Sequence, residues 1–157
     1  MPDKTILRDE LRAQLHAALE RAETAHGAAL EGATHAEARA ENPKDTRGLE
    51  QSYLARGQAQ RVAELATGVA AVEALALRAF GERDPVAMSA LVTIDEEGAT
   101  LRWFIAPAGG GNVLAGDVAV VTPSSPLGKA LVGKRVGDEV EIRLPGRVRT
   151  LTITALA

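Results

Sequence analysis

The sequence predicts an α+β protein, with an N-terminal antiparallel helical hairpin (a coiled coil) followed by a small antiparallel β domain that contains one short helix. Apolar residues recur every three or four positions from Leu7 to about Phe80, with one polar interruption at residues 41–50. Beyond residue 85 the apolar positions alternate, as strands require. We therefore predict a hairpin over residues 1–80, a linker over 81–86 and a β domain over 87–157.

Composition narrows the classes of protein. Aromatic residues are only 3% of the 157 residues, so a single compact core would be thin and an elongated body is favoured. The absence of cysteine excludes a disulfide framework, a thiolate nucleophile and the usual zinc site. We expect a cytoplasmic protein, because the charged start "MPDKTILRDEL" is not a signal peptide and no stretch approaches a membrane span. The net charge of −3, with neither half basic, argues against autonomous DNA binding.

The first predicted helix runs to about Ala40, and Asp3 or Thr5 is its candidate cap. Its expected buried stripe is Leu7, Leu11, Leu15, Leu19, Ala22, Ala29 and Ala33. The second helix is predicted to begin near Gly48, since Pro43 cannot continue the first. Its expected stripe is Leu54, Val62, Leu65, Val69, Val72 and Leu75. Helices of about thirty residues would form a rod of roughly 45 Å with the polar stretch at its tip.

The β domain is predicted from five alternating runs that are separated by turn signals. The runs are "MSALVTI", "LRWFIAP", "DVAVVTP", "DEVEIRL" and "VRTLTIT". The segment "SSPLGKALVG" predicts the short helix, with Ser124 or Ser125 as cap, Pro126 near its first position and Gly133 past its end. No self-contained active site is apparent, because the glycine-rich turns do not fit a phosphate loop and the three histidines share no helical face.

The stretch "TPSSPLGKALVGKRVGDEVEIRLPG" at residues 122–146 strongly resembles the C-terminal domain of the bacterial Gre transcript-cleavage factors. In that family a Ser-Pro-(Leu/Ile)-(Gly/Ala) sequence opens a short helix, and a Gly-Lys pair, a Gly-Asp turn and a Pro-Gly follow. The matching residues here are Ser125, Pro126, Leu127, Gly128, Leu131, Gly133, Lys134, Gly137, Asp138, Pro145 and Gly146. The segments "AEAR" and "LAR" on either side of the tip resemble the family's hairpin more loosely.

The resemblance implies a transcription elongation factor, monomeric and not itself an enzyme, that binds bacterial RNA polymerase. Its β domain would be FKBP-like and would dock at the mouth of the secondary channel, and we expect Ser125, Pro126 and Leu127 at the docking surface. The alternative is that Pro126 and Leu127 only begin and bury the helix. The hairpin would reach into the channel and act on nascent RNA indirectly. The protein would need no cofactor of its own, and its tip acids would help to hold Mg²⁺ in the polymerase active site.

The tip departs from the family pattern of an acid, two residues and a second acid. Asp45 aligns with the first acid, but Gly48 stands in the second place, and Glu41 and Glu50 are out of step. Three interpretations stay open: the acids are a solvated loop, Asp45 is a metal ligand alone or with a shifted Glu such as Glu41, or the tip occludes the channel. The last corresponds to a Gre relative that binds polymerase without stimulating cleavage.

Two hypotheses from other classes compete with this reading. An FKBP-like sheet could be a prolyl isomerase, but that pocket is walled by several aromatics. The predicted β domain has Trp103 and Phe104, which are adjacent in one strand and therefore face opposite sides of it. The helical half alone would also suit a generic coiled-coil adaptor.

Overall fold

The computed structural model of the chain describes residues 2–38 and 46–157. The two long helices are α1 (Lys4–Ala38) and α2 (Arg47–Glu73). They are followed by β1 (Leu91–Glu96), β2 (Ala99–Ile105), β3 (Val113–Leu114), β4 (Val118–Val121), α3 (Pro126–Leu131), β5 (Glu139–Leu144) and β6 (Arg147–Leu156). Two compact units are present: Met1–Arg12 with Ala71–Ala157, and Ala13–Ala70. We call the first the sheet unit and the second the hairpin unit.

Within the hairpin unit, α1 and α2 are antiparallel. The ring Nδ1 of His26 lies 3.1 Å from the carbonyl oxygen of Ala55. Further along α1, a Cβ added to Gly32 would lie 3.0 Å from Oε1 of Gln51, which is earlier in α2. Residues later in α1 therefore meet residues earlier in α2, and the predicted helical hairpin is confirmed.

The buried stripe of the hairpin unit differs from the prediction at three positions: Leu54 on α2 is exposed, and Val62 on α2 and Leu19 on α1 are only half-buried. Leu65 and Val69 are buried as predicted. Leu54, however, is 50% exposed, and the neighbouring Ala55 is buried in its place. On α1 the predicted stripe is buried at Leu15, Ala22, Ala29 and Ala33. Alanine thus occupies much of this stripe, including the position on α2 where Leu54 was expected to be buried.

In the sheet unit, the first turns of α1 and the end of α2 join the sheet. Asp3 caps α1, since its Oδ1 accepts a hydrogen bond of 2.8 Å from the backbone N–H of Thr5. A carboxylate oxygen of Glu10 accepts one of 2.9 Å from the N–H of Ala115. Arg12 and Glu73 form an ion pair at 2.8 Å between α1 and α2. Leu7, Leu11, Val72 and Leu75 are buried.

The prediction that the second helix continues to about Phe80 is wrong, because α2 ends at Glu73. Residues 74–80 are mostly apolar, but they pack with the sheet unit and do not continue the hairpin. Phe80 belongs to the core of the sheet unit. The N–H of Arg78 donates to the hydroxyl of Ser89 at 3.0 Å, so it is bonded to a side chain and not to a helical carbonyl. Tertiary contacts have overridden the local helical pattern.

The sheet has six strands in the order β3-β4-β2-β1-β6-β5. It is mixed, which corrects the prediction of an antiparallel sheet: β2 and β4 are parallel, and the other pairs are antiparallel. The five predicted strands are present, and the two-residue strand β3 was not predicted. The short helix α3 follows β4 as predicted. The domain boundaries at residues 80 and 87 stay a prediction.

Buried side chains cover both faces of the sheet. Trp103 belongs to the main core, together with residues of β1, β5, β6 and α3. Phe104, the next residue of β2, points the other way and is fully buried outside that core. Because both faces are covered, the sheet can hold its loops in fixed positions. The loop that leads into α3 is one of them.

Candidate functional site

The loop from Thr122 to Gly128, which carries the predicted docking residues, is closed by one hydroxyl group. Ser125 has an extended backbone and is the N-cap of α3. Its Oγ donates to the carbonyl oxygen of Thr122 at 2.7 Å and accepts from the N–H of Gly128 at 3.0 Å. A single side chain thereby satisfies groups on both sides of the turn.

Pro126 and Leu127 face different environments at the start of α3. Pro126 occupies the first turn and is exposed, as its missing N–H allows. Leu127 is partly buried and packs against the main core. Leu127 therefore helps to anchor the helix, while Pro126 and the neighbouring Ser124 are available on the surface.

Gly128 is required by a close backbone approach. A Cβ at this position would lie 1.9 Å from the carbonyl oxygen of Thr122 and 2.9 Å from the Cα of Pro123. Every residue except glycine would force the loop and the helix apart. The Ser-Pro-Leu-Gly sequence is thus explained as a folding unit, and whether it also docks is untested by this geometry.

The end of α3 is fastened to the segment that precedes the sheet. Gly133 has a positive φ of 89°, and its N–H donates to the carbonyl oxygen of Val86 at 2.8 Å. The N–H of Val86 donates in turn to the carbonyl oxygen of Lys134 at 2.7 Å. Between these fixed ends, Lys129 and Val132 are exposed. With Ser124 and Pro126, these side chains form a small, firmly held surface on the loop and helix.

The second candidate site is the tip, and most of it lies outside the described residues. Asp45 and Glu41 are not described, so their role as carboxylate ligands stays a prediction. Glu50 is exposed in the first turn of α2, where a carboxylate interacts favourably with the helix dipole. Gly48 is buried in the same turn.

Metal binding was expected only in a complex with polymerase. Within residues 2–38 and 46–157, no group of three or more His, Asp or Glu side chains could hold a metal ion. The oxygen of Glu50 is of the type that Mg²⁺ prefers, but it offers one ligand. In the described part of the chain, no helix combines the length and apolar character of a membrane span.

A half-buried ion pair on the sheet was not predicted from the sequence. Nε and Nη2 of Arg149 donate to the two carboxylate oxygens of Glu96 at 2.7 and 2.6 Å, and the guanidinium lies 6.0 Å from the centre of the Trp103 ring. The hydrogen bonds from Arg149 lower the pKa of the Glu96 carboxyl group, and those bonds raise the pKa of Arg149. No sequence signal joins the two residues, since their proximity depends on the pairing of β1 with β6.

The part of the chain that carries the loop from Thr122 to Gly128 is similar to known proteins. Residues 81–157 match the family model "Transcription elongation factor, GreA/GreB, C-term". Over these residues the chain is similar to the C-terminal domain of the Gre transcription elongation factors. The predicted resemblance to Gre transcription elongation factors is confirmed, and it includes the loop at Ser125.

Individual Gre relatives match over different lengths. The chain is 29% identical over 115 residues to transcription elongation factor GreA of Syntrophus aciditrophicus, covering 72% of this chain and 67% of that protein. It is 54% identical over 37 residues to GreA of Nautilia profundicola, covering 24% of this chain and 23% of that protein. It is 34% identical over 73 residues to GreA of Rhodospirillum rubrum, covering 45% of each. The chain therefore matches less than half the length of two of these three Gre relatives.

One solved structure aligns with this chain over most of the length of both. GreA factor homolog 1 (Gfh1) of Thermus thermophilus is 21% identical, with 93% of this chain and 94% of that chain covered and a TM-score of 0.40.

Proposed function

We propose that the chain is a transcription elongation factor that binds bacterial RNA polymerase, inserts its helical hairpin into the secondary channel and modulates cleavage of backtracked RNA. The observation that carries the proposal is the family match over residues 81–157. The antiparallel pair of long helices that precedes this domain is consistent with it.

The chemistry that the hairpin could contribute is that of a carboxylate. A second Mg²⁺ at a phosphodiester generates the attacking hydroxide and stabilises the leaving oxygen. Asp45 would supply a ligand toward that ion, and Glu41 is a second candidate donor. One carboxylate contributes less than two, since Mg²⁺ is held by ligand number and charge.

The buried position of Gly48 favours weak or absent stimulation of cleavage. This residue stands where the family has its second acid, and it is buried in the first turn of α2. The chain thus lacks a carboxylate there. A longer side chain introduced at this position would start from a buried Cα. The alternative function is therefore a Gre relative that occupies the channel without stimulating cleavage.

The testing experiment combines core polymerase with a stalled, backtracked complex. Binding is measured first, by competition for the channel, for the wild type and for Asp45→Asn, with Glu50→Gln as the matched control. Cleavage is measured next. If the wild type stimulates cleavage and Asp45→Asn alone loses it while still binding, the tip is a metal ligand.

The other outcomes separate the remaining possibilities. Binding without any stimulation supports the alternative function. If both variants cleave as well as the wild type does, Asp45 is not a ligand. Failure of the wild type to bind polymerase overturns the proposal itself.

The docking role of Ser125, Pro126 and Leu127 belongs to the same proposal. A charge at Leu127 would disturb the core, so Leu127→Asp confounds docking with folding. Pro126→Ala and Ser124→Glu change exposed side chains instead. If these variants keep the wild-type circular dichroism and lose polymerase binding, the loop docks. Unchanged binding would assign the loop to folding alone.

A further inference from the structure

A cavity of about 370 Å³ lies within the sheet unit, and no residue of the α3 loop lines it. The first residues of α1 and the segment after α2 form its walls. Its lining residues are Pro2, Asp3, Lys4, Thr5, Leu77, Arg78, Ala79, Phe80 and Ala157. Two cations therefore share a wall with several apolar side chains.

Both cations lie against the same aromatic ring. Nζ of Lys4 is 4.9 Å from the centre of the Phe80 ring, and Cζ of Arg78 is 4.5 Å from it. Such contacts stabilise a cation but do not neutralise its charge. Phe80 is itself buried in the main core, so it provides a fixed platform.

The backbone of Arg78 is held from two directions. Its N–H donates to the hydroxyl of the buried Ser89 at 3.0 Å, and its carbonyl oxygen accepts a hydrogen bond from Nζ of Lys4. Because these bonds use main-chain atoms of Arg78, they do not depend on its guanidinium. The site is therefore built before any ligand arrives.

The wall of the cavity carries two cationic side chains, Lys4 and Arg78, and one carboxylate side chain, Asp3. Asp84 pairs with Arg78 at the long distance of 3.6 Å, and the same oxygen accepts from the N–H of Gly81. Asp3 is engaged as the cap of α1. Among the described residues Lys4 has no carboxylate partner. Burial, and then the charge of Arg78, lower the pKa of the Lys4 ammonium.

We propose that this cavity is a second docking point, which receives an acidic side chain, flanked by an apolar residue, from the protein partner of the chain. The carboxylate would lie between Nζ of Lys4 and the guanidinium of Arg78, and the apolar neighbour would contact Leu77 and Pro2. The mixed lining favours a peptide segment over a free anion, which would leave the apolar wall without a contact. This inference rests on the proposed function, since the partner is taken to be polymerase.

The test is a polymerase-binding titration with Arg78→Gln as the principal variant. The substitution removes the charge and keeps the backbone bonds to Ser89 and Lys4. We expect affinity to fall about tenfold, with the difference shrinking at high salt. Lys4→Gln should act in the same direction, and Lys4→Arg should retain binding. The matched control is Arg143→Gln, which removes an exposed cation of the same unit that is outside the cavity.

The outcomes are distinct. If the wild type binds and Arg78→Gln, with an unchanged thermal midpoint, binds equally well, the second docking point does not exist. An equal loss of affinity in Arg143→Gln would mean that only the net charge of the unit matters, and this result would also overturn the second docking point. If inorganic phosphate at matched ionic strength displaces the wild type but not Arg78→Gln, the pocket takes a free anion, contrary to the inference. A wild type that does not bind polymerase at all would refute the proposed function instead.

Discussion

Gly128 and Thr122 approach each other so closely that a Cβ on Gly128 would lie 1.9 Å from the carbonyl oxygen of Thr122. The contact is between backbone atoms, which cannot move aside as a flexible side chain can. This relationship fixes where α3 begins, and it decides which residues of the loop can face outward.

We predict that Gly128→Ala lowers the free energy of unfolding by about 3 kcal/mol or more, since overpacking against backbone is costly. Urea denaturation measures the change. The matched control is Gly57→Ala in α2, where nothing lies within 4 Å of the added Cβ. That substitution should stabilise the protein by up to about 1 kcal/mol. Similar effects of the two changes would contradict the close approach.

Ser125→Ala should cost about 1 kcal/mol, the usual loss for an N-cap. It removes both the bond to Gly128 and the bond to Thr122. The exposed neighbour Ser124 provides the comparison, because its side chain makes no hydrogen bond to a described residue. Thermal midpoints of the two variants are compared with that of the wild type. Equal midpoints in all three would show that Ser125 is not the working cap.

The pair Leu65 and Leu54 tests the buried stripe on α2. Leu65 is 6% exposed and Leu54 is 50% exposed. Leu65→Ala should therefore lower the free energy of unfolding by roughly 2–5 kcal/mol, and Leu54→Ala by less than about 0.5 kcal/mol. Helical circular dichroism followed during urea unfolding reports both changes. Similar losses at both positions would restore the heptad assignment made from the sequence, which placed both leucines in the buried stripe.

The ion pair of Glu96 with Arg149 should make stability depend on pH. The folded pKa of Glu96 is depressed, so its contribution is present above the unfolded pKa of about 4.3 and is lost as pH falls through the folded value. Above pH 6 we expect the wild type to exceed Glu96→Gln by about 1 kcal/mol, a figure discounted for partial exposure.

Urea midpoints measured from pH 7 to pH 3 provide the check. The difference between wild type and Glu96→Gln should shrink below about pH 4.3, where the unfolded carboxyl group is protonated. Arg149→Gln should reproduce the same loss at neutral pH. A difference that stays constant across the whole range would mean that the pair contributes packing and no charge.

Local signals in the sequence were sufficient for much of the fold. The Ser-Pro start and the Gly133 end located α3, because caps depend on a few adjacent residues. The two-residue strand β3 is too short to show a period. The parallel pairing of β2 with β4 depends on the path of the chain between them, which residue types do not encode.

The misassigned residues share a physical cause. Leu54 was placed in the buried stripe by its spacing from the other apolar residues of α2, yet the neighbouring small side chain of Ala55 is the one that is buried. Phe80 fitted the helical spacing but was needed by the core of the sheet unit. The cavity at Lys4 and Arg78 joins residues 74 positions apart, so no local pattern could reveal it.

The grouping of Met1–Arg12 with Ala71–Ala157 has a consequence for how the chain folds during synthesis. The hairpin unit is one continuous segment, so its contacts can form as soon as that segment has been made. The sheet unit is divided, and Glu10 has to wait for Ala115, 105 residues later. Closing so long a loop is entropically costly, and contacts of high sequence separation slow folding. The first turns of α1 are therefore made first, and Glu10 reaches its partner only after 105 more residues have been made.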